Sequence, residues 1–171
     1  MTNAKKETIA LQIRDFRLPR YHEIPDVGLY LEQTTQYICS YLEPVLPEGL
    51  TASMISNYVK KGLISSPARR RYSREQIAYL FFIAVAKHVL SLDALQNFIL
   101  LQKRTYSVQR AYDYFVQELE DILLFCFDLK TTLDTPEGEE STDEKRLLYS
   151  CVASVAQKIY LEKSLQAIAE A

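Results

Sequence analysis

The sequence has no tryptophan, two histidines, four glycines and six prolines in 171 residues. So few turn-forming residues leave room for long helices and argue against a β-sandwich or barrel. The three cysteines, Cys39, Cys126 and Cys151, are far apart and form no CxxC pair. We therefore predict reduced core thiols, no metal site and no cofactor.

Long hydrophobic runs are also missing. The longest, residues 77–86, is too short to span a bilayer and is typical of a buried helix. The N-terminal stretch carries charges on both sides of a very short apolar segment, unlike a secretory signal. The sequence contains no HExxH motif, Gly-rich phosphate loop or Ser/His/Asp set. We expect a cytoplasmic protein that is not an enzyme and has no membrane association.

Charge is distributed unevenly along the chain. Residues 1–104 contain 14 Lys and Arg against 9 Asp and Glu, whereas residues 105–171 contain 6 against 13. The first part has a net charge of +5 and the second of -7, although the whole chain is at -2. This polarity favours two functional regions with a boundary near residue 104, of which the first meets a polyanion.

Helix signals recur throughout the sequence. Helices are predicted over residues 4–16, from an Asp26 cap to Leu42, from a Thr51 cap to Gly62, from a Ser73 capping box to about residue 90, and from a Ser91 cap to about residue 103. Two more are predicted over residues 107–129 and 143–168, separated by an acidic linker with six carboxylates, residues 131–144. The fold class is therefore predicted as mainly all-α.

The short helix after Thr51 has two contrasting faces. At 100° per residue, its apolar side chains fall on one arc and its small, polar and basic ones on the other. The apolar set is Met54, Ile55, Tyr58 and Val59, and the polar set is Ser53, Ser56, Asn57, Lys60 and Lys61. A helix that enters the major groove needs such short polar groups near base edges and cations near phosphates.

A basic segment follows this helix. Residues 51–74 contain six Lys or Arg and no Asp or Glu, and the run Arg69-Arg70-Arg71-Tyr72 follows a proline turn. Such a ribbon is suited to track a sugar–phosphate backbone. The predicted DNA contacts are Thr51, Ser53, Ser56, Asn57, Tyr58, Lys60, Lys61, Arg69, Arg70, Arg71, Tyr72 and Arg74.

These segments resemble the recognition helix and wing of MerR-family regulators. The resemblance rests on residues 54–64 (MISNYVKKGLI), Pro67, the pair Arg71-Tyr72 and residues 91–95 (SLDAL). It implies an N-terminal winged helix-turn-helix with a short β-ribbon wing, followed by a helical dimerisation or regulatory bundle. By the same resemblance, Tyr58 would contact a phosphate and Arg71 would be the wing arginine. Ser56 stands where that family usually has arginine.

A second resemblance extends towards the N-terminus. The segments LPRY (residues 18–21), Ile24-Pro25 and LYLEQ (residues 29–33) are similar to those of an uncharacterised family of small bacterial proteins that carry a MerR-like module. This likeness implies the fold and no particular chemistry.

Helix 107–129 carries a seam of apolar residues at alternating spacings of four and three. Such a seam is typical of helices packed knobs-into-holes. It predicts a homodimer through Val108, Tyr112, Phe115, Leu119, Ile122 and Cys126. The competing prediction is intramolecular: the stripe Leu148, Val152, Val155, Ile159 could cover the seam instead.

Together these features predict a sequence-specific transcriptional regulator that binds double-stranded DNA as a homodimer on a two-fold site. The alternative is a non-catalytic interaction or scaffold module that uses a winged-helix fold to bind protein. Twelve tyrosines also leave open an aromatic pocket for an unknown small-molecule effector.

Overall fold

A computed structural model describes residues 3–136 and 141–169 of the chain, with side chains from residue 7 onward. It is mainly helical with one two-stranded sheet, which confirms the predicted all-α class. In chain order the described elements are α1 (Asn3–Arg14), a 3-10 turn (Tyr21–Glu23), β1 (Leu29–Tyr30), α2 (Leu31–Leu42), α3 (Ala52–Lys60), β2 (Arg71–Tyr72), α4 (Arg74–Ala86), α5 (Leu92–Thr105), α6 (Val108–Cys126) and α7 (Asp143–Ala169).

Serine and threonine caps start most of the central helices where the sequence predicts them. The side chains of Thr51, Ser73, Ser91 and Ser107 each accept a hydrogen bond from a backbone N–H in the first turn of α3, α4, α5 and α6, respectively. Each cap satisfies a donor that the helix itself leaves unpaired. The start of α7 at Asp143 also agrees with the prediction, whereas residues 137–140 of the acidic linker lie outside the described residues.

The predicted Asp26 cap is wrong. The chain turns at Gly28, whose φ is +77°, and Leu29 and Tyr30 then form β1. This strand pairs antiparallel with β2, Leu29 opposite Tyr72 and Tyr30 opposite Arg71, so α2 begins only at Leu31. A pairing across some forty residues leaves no local trace in the sequence, whereas the cap signal at Asp26 is local.

Helix α4 is the centre of the core. From Gln76 to Ala86 every residue is buried, which agrees with its continuous apolar sequence. The centre of the Phe81 ring lies 5.9, 6.0 and 6.1 Å from the ring centres of Tyr37, Tyr41 and Tyr112, respectively. Phe81 of α4 therefore joins α2 to α6. One cluster of buried hydrophobic residues contains side chains from both sides of residue 104. Buried side chains from the two predicted regions therefore share one core.

The segment before the 3-10 turn is held against α6 by polar contacts. The Arg20 guanidinium donates two hydrogen bonds to the Glu120 carboxylate, at 3.0 and 2.7 Å, and the backbone N–H of Leu18 donates to the same carboxylate at 3.0 Å. The Tyr112 hydroxyl donates to the carbonyl of Pro19 at 2.9 Å. Residues 18–21, which carry the LPRY motif, thus fasten the N-terminal segment to α6.

Candidate nucleic-acid interface

Helix α3 is anchored by two buried side chains and leaves most of its surface in solvent. Ile55 and Tyr58 are buried, and the exit is formed by Gly62 in the left-handed region (φ +77°), with Leu63 N–H donating to the Tyr58 carbonyl at 2.9 Å. Such an exit satisfies the last carbonyls of the helix. The exposed residues on α3 and at its end are Thr51, Ser53, Met54, Ser56, Asn57, Lys60 and Lys61. Met54 was predicted to belong to the docked face; it is 38% exposed, so that prediction is wrong.

Two of the exposed polar side chains on α3 are used locally. The Thr51 hydroxyl caps the helix by accepting from the Met54 N–H, and the Ser56 hydroxyl donates to the Ala52 carbonyl at 3.0 Å. Ser53 and Asn57 remain the exposed short polar residues without such a local bond among the described contacts.

The turn before β2 has an unusual backbone. Arg69 and Arg70 both have positive φ values, 50° and 62°, and the Arg71 N–H donates to the Ala68 carbonyl at 2.9 Å across them. This is the geometry of a type I′ turn, which favours Asn and Gly. A bulky side chain in the left-handed region costs about 1–2 kcal/mol. The chain thus holds two exposed arginines at the tip of the turn despite strain.

We expect the double substitution Arg69→Asn/Arg70→Gly to raise the free energy of unfolding by about 1 kcal/mol, because the preferred residues relieve that strain. Urea unfolding monitored by circular dichroism measures the change. The control Arg69→Lys/Arg70→Lys keeps the strain and should stay within about 0.5 kcal/mol of the wild type. A loss of stability in the Asn-Gly variant would contradict this description of the turn.

Arg71 is fixed against the neighbouring strand. Its guanidinium lies 4.9 Å from the centre of the Tyr30 ring and donates to the Tyr30 hydroxyl at 3.2 Å and the Val27 carbonyl at 3.4 Å. The side chain remains exposed. Arg71 therefore joins β2 to the β1 segment and offers its remaining N–H groups to solvent. Tyr30, 46% exposed, is a surface residue of this region that the sequence did not single out.

Three predicted contact residues are placed elsewhere by the structure. Tyr58 and Tyr72 are only 6% and 3% exposed, and burial raises the pKa of both hydroxyls. Arg74 donates to the Ile24 carbonyl at 2.8 Å and lies 3.9 Å from the Asp26 carboxylate. The two rings thus complete the core, and the Arg74 guanidinium, still partly exposed, is held by the fold, so none of the three is a free surface group.

Four cations then remain exposed and uncommitted: Lys60, Lys61, Arg69 and Arg70. In the described part of the chain, none of the four has an ion pair or a hydrogen bond from its side chain. The segment between them is anchored to α4, since the Gln76 amide donates to the carbonyl of Ser65 at 2.8 Å and to its hydroxyl at 3.1 Å. These four exposed cations lie in a stretch of sequence with no acidic residue, positions 51–74, and are called the cationic surface below: Lys60, Lys61, Arg69 and Arg70.

The predicted dimerisation seam is wrong as an exposed surface. Tyr112, Phe115, Leu119 and Ile122 are buried within one chain, where α6 packs mainly against α7 and α4. Val108 and Cys126 are half-buried, and the Gln157 amide of α7 donates to the Cys126 sulfur at 3.4 Å. The stripe Leu148, Val152, Val155, Ile159 is buried too, so the competing intramolecular prediction holds.

The described residues contain neither an ionised Cys151 thiol nor a group of metal ligands. Burial raises the pKa of Cys151 to about 11, so this thiol stays protonated at neutral pH. Among residues 3–136 and 141–169, no group of three or more His, Cys, Asp or Glu side chains is arranged to hold a metal ion. Within the same ranges, no helix combines the length and apolarity needed to cross a membrane.

The fold and surface define a mainly helical protein whose first half carries a short, capped helix with an exposed polar side and a two-stranded sheet preceded by an arginine turn. Residues 19–115, more than half of the chain, match the family described as a domain of unknown function (DUF1836). The chain belongs to that family. The match runs from Pro19 to Phe115 and so includes both partners of the Pro19–Tyr112 hydrogen bond. No curated protein and no solved structure matches the chain.

Proposed function

We propose that the first half of the chain is a MerR-like winged helix-turn-helix that binds double-stranded DNA and regulates transcription. In this proposal α2 and α3 are the helix-turn-helix, α3 enters the major groove, and the turn at Arg69 and Arg70 is the wing. Ser53 and Asn57 would meet base edges, because short polar side chains at this position can read them.

The observation that carries the proposal is the cationic surface. A structural role does not account for Arg69 and Arg70, since their exposed side chains have no hydrogen bond, ion pair or ring contact within the described chain and they occupy a strained turn. Strained backbone at an exposed position is often kept where the side chain has a function. Guanidinium groups at the tip of a wing would suit phosphate contacts.

Reading a two-fold site requires two copies of this module, so homodimerisation belongs to the proposal. The contact between copies has to lie outside the α6 seam, which is covered within the chain. Light scattering at tens of micromolar protein measures the oligomeric state, and a monomer that also fails to dimerise on DNA would contradict this part.

The direct test is the salt dependence of binding to duplex DNA. With four cations at phosphates, the logarithm of the affinity should fall against the logarithm of salt with a slope of about -3 to -4 per protomer. Fluorescence anisotropy with a labelled duplex, from 50 mM salt upward, measures this slope. Absence of duplex binding at low salt would remove the proposal.

The second candidate is a protein-interaction or scaffold module. One observation favours it: near the end of α7, Leu161, Leu165 and Ile168 are all more than half exposed. Their spacing of four and three places them on one face of the helix, and an exposed apolar face of this kind is typical of interaction surfaces. This candidate predicts salt-insensitive binding of protein and none of DNA.

A further inference from the structure

A cavity of about 210 Å³ lies between α5, α6 and the start of α7. It adjoins a smaller recess of about 50 Å³ that reaches towards α4. The two are lined in part by the same side chains, Phe98, Gln102, Ala111 and Leu148, and are therefore neighbours in the same part of the fold.

The walls of this cavity are fixed by hydrogen bonds. Gln102, 9% exposed, accepts from the Tyr79 hydroxyl at 3.0 Å and donates to the Tyr106 carbonyl at 2.6 Å. Thr105 donates to the Glu144 carboxylate at 2.6 Å, and the Tyr106 hydroxyl lies 3.0 Å from that of Thr142. These contacts tie the end of α5 to the start of α7, and a preformed cavity costs a ligand little ordering entropy.

The outer part of the cavity has an excess of positive charge. The Arg110 guanidinium and the Lys145 ammonium lie over the rings of Tyr106 and Tyr114, at 5.2 and 6.0 Å, and the described residues give neither of them an ion pair. The lining carboxylate, Glu144, already accepts the Thr105 hydroxyl, a hydrogen bond that lowers its pKa. Two cations thus face the opening, in a half of the chain whose net charge is -7.

We propose that this cavity binds a small amphipathic carboxylate, with one aromatic ring and a short acid-bearing chain. Apolar cavities of about 150 Å³ hold benzene, so the larger space accommodates a ring and a few further atoms. Phe98 and Leu148 would contact the ring, and Arg110 and Lys145 the carboxylate, because hydrogen bonds from a cationic donor to a carboxylate are charge-assisted and strong. The proposal does not depend on DNA binding.

The test compares three ligands with the same skeleton, 3-phenylpropionate, its amide and 3-phenylpropylamine, on the full chain by isothermal titration calorimetry or ligand-observed NMR. The carboxylate should bind about tenfold tighter than the amide, which corresponds to one charge-assisted hydrogen bond, and the amine should bind weakest. No binding of the carboxylate at millimolar concentration, or an amine that binds as tightly, would overturn the proposal.

Two variants locate the site. Arg110→Gln/Lys145→Gln should lower the carboxylate affinity to that of the amide and leave the amide unchanged, whereas Ala111→Leu should weaken both by filling the cavity. The control Arg104→Gln/Arg146→Gln removes the same charge outside the lining and should change neither affinity. Equal losses in the two charge variants would show that the preference is only long-range attraction, against the proposal. Circular dichroism confirms that each variant is folded.

Discussion

Replacing Lys60, Lys61, Arg69 and Arg70 together with alanine should lower the affinity for duplex DNA by about 4,000-fold per protomer at 0.1 M salt. Each cation at a phosphate releases nearly one condensed counterion. At this salt concentration that release contributes somewhat less than a factor of ten to the binding constant. The four side chains are exposed and have no hydrogen bond or ion pair within the described chain, so the variant should keep its stability within about 1 kcal/mol. The slope of the logarithm of affinity against the logarithm of salt should flatten by about three to four units per protomer.

The control for this variant removes charge elsewhere. Arg104→Ala/Arg146→Ala takes away two exposed cations, as many as the subset Arg69→Ala/Arg70→Ala, and should change the salt slope by less than about half a unit. Fluorescence anisotropy across a salt series compares the two pairs. If both pairs flatten the slope equally, the protein binds DNA only by its overall charge and the cationic surface has no special role.

The second prediction with a large expected effect concerns the stability of the hydrophobic core. Phe115→Ala should lower the free energy of unfolding by about 3–5 kcal/mol, the usual cost of removing a buried phenylalanine. The Phe115 ring is 2% exposed and lies edge-on to Phe82 of α4 at 5.6 Å. It therefore joins the helices of the acidic half to the central helix of the basic half. The loss should appear in one cooperative transition, because the two halves share one core.

Gln117→Ala is the matched control on the same helix. This side chain is exposed and donates only to Asp121, so the change should stay within about 0.5 kcal/mol. Urea unfolding followed by tyrosine fluorescence and by far-ultraviolet circular dichroism tests both variants. Two separate transitions, with only one affected by Phe115→Ala, would contradict a single core.

Features determined by a few neighbouring residues could be predicted from the sequence. The caps at Thr51, Ser73 and Ser91 depend on one hydroxyl and a backbone N–H three residues later, and the left-handed exit at Gly62 depends on one glycine. The apolar seam of α6 was equally clear as a pattern. For these elements the sequence contains both interacting groups within one turn of helix.

Features that depend on distant partners could not be predicted in the same way. The apolar seam indicates that Leu119 must be buried, but the sequence does not identify the surface that buries it. In the structure α6 packs mainly against α7 of the same chain, and Leu119 is buried there. Likewise, β1 forms only because β2 is brought beside it. The strained turn at Arg69 and Arg70 was missed since arginine gives no signal for positive φ.

The candidate DNA-binding site contains features of both kinds, some set by neighbouring residues and some by distant partners. Exposure of Lys60 and Lys61 follows from the helical period of α3, which also places Tyr58 on the docked face. A phosphate contact was predicted for Tyr58 only from the resemblance to MerR-family regulators. In the structure the Tyr58 side chain is buried. Arg74 was counted as a free cation because its partners, Ile24 and Asp26, lie about fifty residues earlier in the chain.

Backbone NMR during titration with duplex DNA tests the central claim most directly, since it shows which residues meet the ligand. The account predicts that amide signals of residues 51–61 and 68–71 shift first and most, that the shifts shrink as salt is raised, and that α7 signals change little. Shifts confined to α6 and α7, or equal small shifts over the whole surface, would contradict a DNA-binding role for α3 and the arginine turn.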